Sequence, residues 1–397
     1  MRDVSIVGVG MTPFAHRPES FMDIAADGVI DALYDKDLRN LEMKDVEASY
    51  FGTMGGGPQA GQKALARLRS RMEEKGIEPQ EGLTGIPVSN YENQCTSGTC
   101  AFDAAYRDIS AGIHDIILAF GAEKLGKGAL SAGAGGGLTT QKFDRDTEPP
   151  APGMFAGQAR EHMKRFGTTR EHLAMVAVKS KEYAATNPNA QYRQRLTIDD
   201  VLNAPMIADP LTMFMCCPTT TGGSAAILCA KEIAKKFSDS PVDILTGVMK
   251  TARPTADMLA FESGWDPNIR AGYEAYKQTG LSPKDIDVAQ VHDCFAIAEL
   301  MHYESFGWCE MGRSGEWIES GAPCKGGDLP VNTDGGLISK GHPLGATGFA
   351  QVYELVHQLR GDAHNQIPDA DIAWKHNMGG GVGVGMTYCV HVFKRGW

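Results

Sequence analysis

The sequence predicts a layered α/β fold whose largely parallel central sheet is built twice over. Two observations carry this. Short apolar runs alternate with amphipathic stretches along the chain, and landmarks of the first half return in the second at offsets of 239, 240 and 247 residues. A length of 397 residues leaves room for two or three globular units, each able to bury a core.

Ser5–Gly10 reads as a buried strand, and Phe21–Leu33 as a helix with its apolar residues at helical spacing. Val46–Met54 and Pro87–Glu92 read as further strands, the second leading into a helix near Thr96–Ser110. Asp115–Glu123 is a fourth strand, and Ser224–Ala230 a fifth before the helix Lys231–Phe237. Between Lys124 and about Thr197 the pattern changes. The glycine run Gly133–Gly137 and the prolines of Pro149–Pro152 are loop chemistry, followed by helices around Met154–Phe166 and Thr169–Ala185. An insertion this long is usually functional. The resulting division is 1–123 and 197–240 for the first half, 124–196 for the insertion and 241–397 for the second half.

The repeat sets Ser5-Ile-Val-Gly-Val against Ile244-Leu-Thr-Gly-Val, and Lys44-Asp45-Val46 against Lys284-Asp285-Ile286. It sets Cys95-Thr-Ser-Gly98 against His342-Pro-Leu-Gly345, with Phe102 meeting Phe349. Three matches in consistent order point to a tandem duplication.

Composition excludes several classes. Thirty-eight basic against 49 acidic residues leave a net charge of −11, the wrong sign for a non-specific nucleic-acid binder. An anionic ligand would therefore need local positive contacts. The nine cysteines include no Cys-x-x-Cys, so a zinc ribbon has no spacing to support it, and no metal is expected. Their odd number argues for reduced thiols, and no run of 18 apolar residues occurs. The expectation is a soluble cytoplasmic protein.

Cys95 follows an extended segment and precedes a helix start, where unpaired N–H groups and the positive dipole end favour thiolate. Cys100, one turn on, reads as structural. His342, fixed by Pro343 within the glycine-rich Asn332–Gly348, holds in the second repeat the position of Cys95 in the first. If the halves pack by pseudo-twofold symmetry, nucleophile and base meet across one site. His292 and Cys294, in Val291-His-Asp-Cys-Phe295, share a face if the strand continues; a turn there would separate them. The glycines after His376-Asn377-Met378, beginning at Gly379, suit a backbone donor set for an oxyanion, or a mere sharp turn. Cys216-Cys217-Pro218 reads as extended core. The basic stretch Lys63–Arg71 has helical period and reads as a solvated face whose arginines could help hold an anionic ligand.

Taken together, NQCTSG, HDCF, GHPLGATG and HNMGGGVG resemble the blocks of the thiolase superfamily. Within it they look like the sterol-carrier-protein-type thiolases and their archaeal and bacterial relatives. GQAREHMKRFGT, NPNAQYR and DPLTMFMCCP extend the resemblance over nearly the whole chain. CPTTTGGSAA departs from the more usual acidic pattern. The resemblance implies a duplicated five-layer α-β-α-β-α fold with a long loop insertion, and a 3-oxoacyl-CoA substrate. It implies Cys95 as acyl-accepting nucleophile, His342 as its base and His292 as a thioester-polarising donor where many thiolases carry asparagine. Cys294 becomes the acid/base, since Asn377 stands where many thiolases have a second cysteine. The N–H groups of Cys95 and Gly379 form an oxyanion hole. It implies no cofactor, with coenzyme A as substrate. It also implies a homodimer along the Pro87–Glu92 edge with the insertion resting on its neighbour, and leaves room for a small zinc-ribbon/OB-fold partner subunit. Acetoacetyl-CoA is the default substrate; relatives act on bulky aromatic ones such as benzoylsuccinyl-CoA. Ketoacyl synthases, steroid side-chain aldolases and a non-catalytic scaffold are the alternatives.

Overall fold

The computed structural model describes residues 2–126, 151–253, 265–380 and 386–397. The expected loops at Gly133–Gly137 and over 141–150, and the tail of the last glycine block (381–385), lie outside them.

The first repeat runs β1 (Val4–Met11), α1 (Phe21–Leu33), β2 (Ala48–Gly52), α2 (Ala60–Glu74), β3 (Val88–Tyr91), α3 (Ser97–Ser110) and β4 (Ile116–Lys124). Then come α4 (Ala151–Phe166), α5 (Arg170–Thr186), α6 (Ile198–Leu202) and the small ribbon of β5 (Met206–Ala208) and β6 (Leu211–Thr212). The repeat closes with β7 (Thr221–Ala230) and α7 (Lys231–Phe237). The second repeat comprises β8 (Val242–Thr251), α8 (Asp266–Thr279), β9 (Val288–Gln290), α9 (Ala296–Ser305), α10 (Ser314–Glu319), α11 (Leu344–Arg360), β10 (Ile372–Gly379) and β11 (Thr387–Arg395).

Among the described residues nine strands form one sheet, in the order β3-β2-β4-β7-β1-β8-β11-β10-β9. Read outward from the β1·β8 junction, both halves place their strands alike, and Val331 bridges Ala289 in parallel where a third strand of the second repeat would stand. The duplication extends to detail. The 3-10 turns Met43–Asp45 and Pro283–Asp285 are both clasped by their last aspartate, which accepts from the Glu42 N–H at 2.9 Å and the Ser282 N–H at 2.7 Å. Phe102 and Phe349 meet edge to face at 6.2 Å.

The expectation of a largely parallel sheet is corrected. Only β2·β3, β2·β4 and β9·β10 are parallel; β4·β7, β1·β7, β1·β8, β8·β11 and β10·β11 are antiparallel. The last strand of each repeat inserts antiparallel between its neighbours. Every residue of β7 is buried, so it reads as the continuous run that usually marks a parallel strand.

Five layers follow from what each helix covers. α1 and α2 pack on the outer face of the first half-sheet. α3 and α11 share one core with strands of both halves and form the middle layer. α8 and α9 cover the second half-sheet, and α4 and α5 join that same core. The described part of the insertion thus has a core in common with the second half of its own chain. β3 ends the sheet on one side and has no further strand beside it among the described residues, with Ser89 and Asn90 exposed.

Candidate active site

Cys95 sits in a 3-10 turn, Gln94–Thr96, that feeds straight into α3. Side chains tie the turn down: Thr96 Oγ1 donates to Asn93 O at 2.7 Å, and Ser97 Oγ donates to Gln94 O at 2.6 Å. Gln94 adopts the left-handed conformation at φ 51°, a local strain of the kind that clusters at functional turns. Across the pseudo-twofold axis, Pro343 caps α11 and His342 precedes it. The two helix starts approach backbone to backbone: a Cβ on Gly98 would lie 2.2 Å from Gly345 O. Gly379, at the end of β10, abuts the nucleophile's turn, since a Cβ there would lie 2.7 Å from Cys95 N.

The result is a compact triad of groups. The Cys95 sulfur and one ring nitrogen from each of His292 and His342 all lie within 4.8 Å of one another. The two imidazole rings meet at 5.0 Å and 84°.

Hydrogen bonds set the tautomer of each ring. Assigning the Thr347 Oγ1 proton to Pro343 O, at 3.0 Å, makes that oxygen the acceptor toward His342 Nδ1, at 2.7 Å. His342 therefore carries its proton on Nδ1, and Nε2, buried and without a partner among the described residues, is a free lone pair. His292 has the opposite arrangement. Gln351 Nε2 donates to His376 O at 2.9 Å, which leaves Gln351 Oε1 to accept from Asn377 Nδ2 at 3.4 Å. Asn377 Nδ2 then also donates to His292 Nδ1 at 3.1 Å, placing the His292 proton on Nε2. One ring can take a proton and the other can donate a hydrogen bond.

Burial keeps both rings neutral. It lowers His342 to about 3, helped by the Lys340 charge, and lowers His292 well below the usual range, helped by His342. The expected bias of Cys95 toward thiolate is corrected. Burial, reinforced by the buried carboxylate of Glu123, pushes its thiol up to about 12. Desolvation outweighs the helix terminus, so the thiolate needs a base beside it. Three such groups could also hold a thiophilic cation, but the Nε2 proton of His292 opposes ligation.

β9 ends at Gln290, two residues before His292, and Cys294 is buried near enough to Cys95 that each thiolate would repel the other; burial first, then Cys95, pushes its thiol well above the ordinary value. The adjoining Cys217 N–H donates to Cys294 O at 2.9 Å, and Cys216 bridges Phe295, so the Cys-Cys-Pro segment backs the site as free thiols. The Lys63–Arg71 arginines face carboxylates of their own chain. Arg67 engages Asp23 and Glu74, Arg71 engages Asp27 and Arg69 lies near Glu73.

Family models match residues 4–232 (Thiolase, N-terminal domain) and 262–395 (Thiolase C-terminal domain-like). The chain is 36% identical to an acetyl-CoA acetyltransferase of Methanothermobacter thermautotrophicus, covering all of both chains. The chain belongs to the thiolase family. It is 35% identical to sterol carrier protein 2 of Bos taurus over 99% of this thiolase and 72% of that protein. Among solved structures, an Ltp2-ChsH2(DUF35) aldolase aligns with a TM-score of 0.80 at 24% identity, covering 99% of this chain and 98% of that one. Human mitochondrial 3-ketoacyl-CoA thiolase aligns at 0.70 and 19%, covering 99% of each. As a family member the protein is an acyltransferase, and no helix among the described residues is long and apolar enough to cross a membrane.

Sequence reasoning missed Thr347, Gln351 and the role of Asn377. The one available signal was spacing: Thr347 lies five residues after His342, within reach across the first turn of α11.

Proposed function

We propose that this thiolase cleaves a 3-oxoacyl-CoA with coenzyme A through an acyl-cysteine intermediate, or runs the reverse Claisen condensation. The observation that carries the reading is the thiol between two neutral imidazoles of opposite tautomer. His342 Nε2 takes the Cys95 proton, and the thiolate attacks the 3-keto carbon. The N–H groups of Cys95 and Gly379 hold the developing oxyanion. The C2–C3 bond breaks, its electrons pass into the thioester enolate, and His292 Nε2–H donates to the enolate oxygen. Cys294, a neutral thiol, protonates C2 and releases the C1–C2 fragment as its coenzyme A thioester, acetyl-CoA when the substrate is acetoacetyl-CoA, while the shortened acyl group stays on Cys95. The Cys294 thiolate then deprotonates coenzyme A, whose sulfur displaces the acyl group from Cys95. That thiolate recovers its proton from His342.

The acyl group is acetoacetyl or a bulky aromatic such as benzoylsuccinyl-CoA, handled without a further cofactor in the cytoplasm. The sheet edge at β3 supports a homodimer, because unpaired sheet edges invite pairing. The likeness to an Ltp2-ChsH2(DUF35) complex supports a small zinc-ribbon/OB-fold partner built on that dimer. Incubation with acetoacetyl-CoA followed by intact mass spectrometry tests the reading. The native chain gains an acyl group and Cys95→Ser does not; an adduct on the variant at native level would sink the assignment.

A further inference from the structure

Four lysines are buried among the described residues, and three have polar partners. Lys179 reaches Glu299 and Val331 O, Lys340 pairs with Asp334, and Lys375 donates to Thr99 Oγ1 at 2.9 Å. Lys181 on α5 differs. It is 3% exposed, and nothing but burial acts on its ammonium: no carboxylate or hydrogen-bond acceptor meets Nζ among the described residues. Its neighbours are two aromatic rings, Tyr192 at 5.0 Å and Phe214 at 5.8 Å. Ring faces offset only part of what an ammonium loses on leaving water. An unpaired buried cation in a chain of net charge −11 is a local place for an anion.

Its position says which anion. Tyr192 N–H donates to Ser339 O at 3.1 Å, three residues before His342. Phe214 lies three residues before Cys217, whose N–H holds Cys294 O. Both rings thus belong to, or lean on, segments that enter the site after about 10 Å of chain. Tyr192 is 46% exposed, so the cation lies under an aromatic surface open to solvent.

We infer that Lys181, roofed by Tyr192 and Phe214, binds a phosphate of coenzyme A and so anchors the end of the substrate remote from the reacting carbon. This rests on the reading of coenzyme A as substrate.

Calorimetric titration of the full-length protein decides it. Coenzyme A should bind the native chain about tenfold to a hundredfold more tightly than pantetheine, which lacks the phosphates. Lys181→Met should lose most of that difference and Lys181→Arg should keep it. Equal affinity of the native chain for both ligands overturns the inference, a result that needs no variant to fold. So does a folded Lys181→Met that binds coenzyme A as tightly as the native chain. Acylation of Cys95 is read separately. Its failure would remove the proposed reaction, while the titration would still decide Lys181.

Discussion

At the scale of single residues, the site depends on where two protons sit. Thr347 keeps His342 Nε2 free by accepting at Nδ1, with its own proton assigned to Pro343 O. Thr347→Val removes that acceptor while keeping the shape. Acylation of Cys95 should slow by roughly tenfold or more, short of the ~10²–10⁴ that a positioned base supplies in full. Stopped-flow release of coenzyme A from acetyl-CoA in the first turnover measures it; an unchanged rate would detach Thr347 from the base. Cys294→Ala should slow carbon–carbon cleavage by about 10²–10⁴-fold and leave transfer of an acetyl group from acetyl-CoA to Cys95 less affected. Equal losses in both steps would return Cys294 to the core. Cys95, His292, Cys294 and His342 were legible because thiols and imidazoles carry chemistry on their face. Thr347, Gln351 and Asn377 were not. A hydroxyl or an amide acquires its meaning from a partner, and for Asn377 that partner is 85 residues away.

At the scale of elements, the site exists because two helix starts touch through glycine. A methyl at Gly98 meets the Gly345 carbonyl oxygen, and one at Gly345 meets the carbonyl oxygens of Gly52 and Ala122 at 2.5 Å. These are backbone atoms, so no rotamer change relieves the clash. Gly98→Ala should cost about 3 kcal/mol or more and push α3 away from α11. A lowered urea midpoint together with lost acylation is the expected outcome; a native midpoint would mean that the helix starts have slack. Helix positions were readable from period, as in α1, and the structure adds the cap: Ser20 Oγ accepts from the Asp23 N–H at 3.1 Å. Strand direction was not. A strand buried on both faces shows the same apolar run whichever way its neighbours point, so β7 and β11 concealed the antiparallel closure of each repeat.

At the scale of the whole molecule, burial of titratable groups sets the response to acid. His292, His302, His342, His376 and His391 are buried and all shifted downward. Each favours the fold fully above its unfolded value near 6.5, and that contribution is lost as pH falls. Asp31 and Glu123, raised to about 6, Asp293, raised to about 8, and Glu354, also raised, act in the opposite sense. The five histidines outweigh the four carboxylates between pH 6.5 and 5, at about 1.4 kcal/mol per net proton per pH unit. The melting temperature should therefore fall from pH 7 to pH 5, and scanning calorimetry showing a level or rising value would contradict this balance. The sheet that holds these groups also has a clock in it. β1 leaves the ribosome early, yet the strands on either side of it begin at Thr221 and Val242. At about 5–20 residues per second, its neighbours arrive roughly ten to forty seconds later. Until then an eight-residue strand, every residue of which is buried in the finished protein, has both edges unpaired. An apolar segment so far ahead of its partners needs shelter during synthesis, and the seam that joins the two halves closes only once β8 has been made.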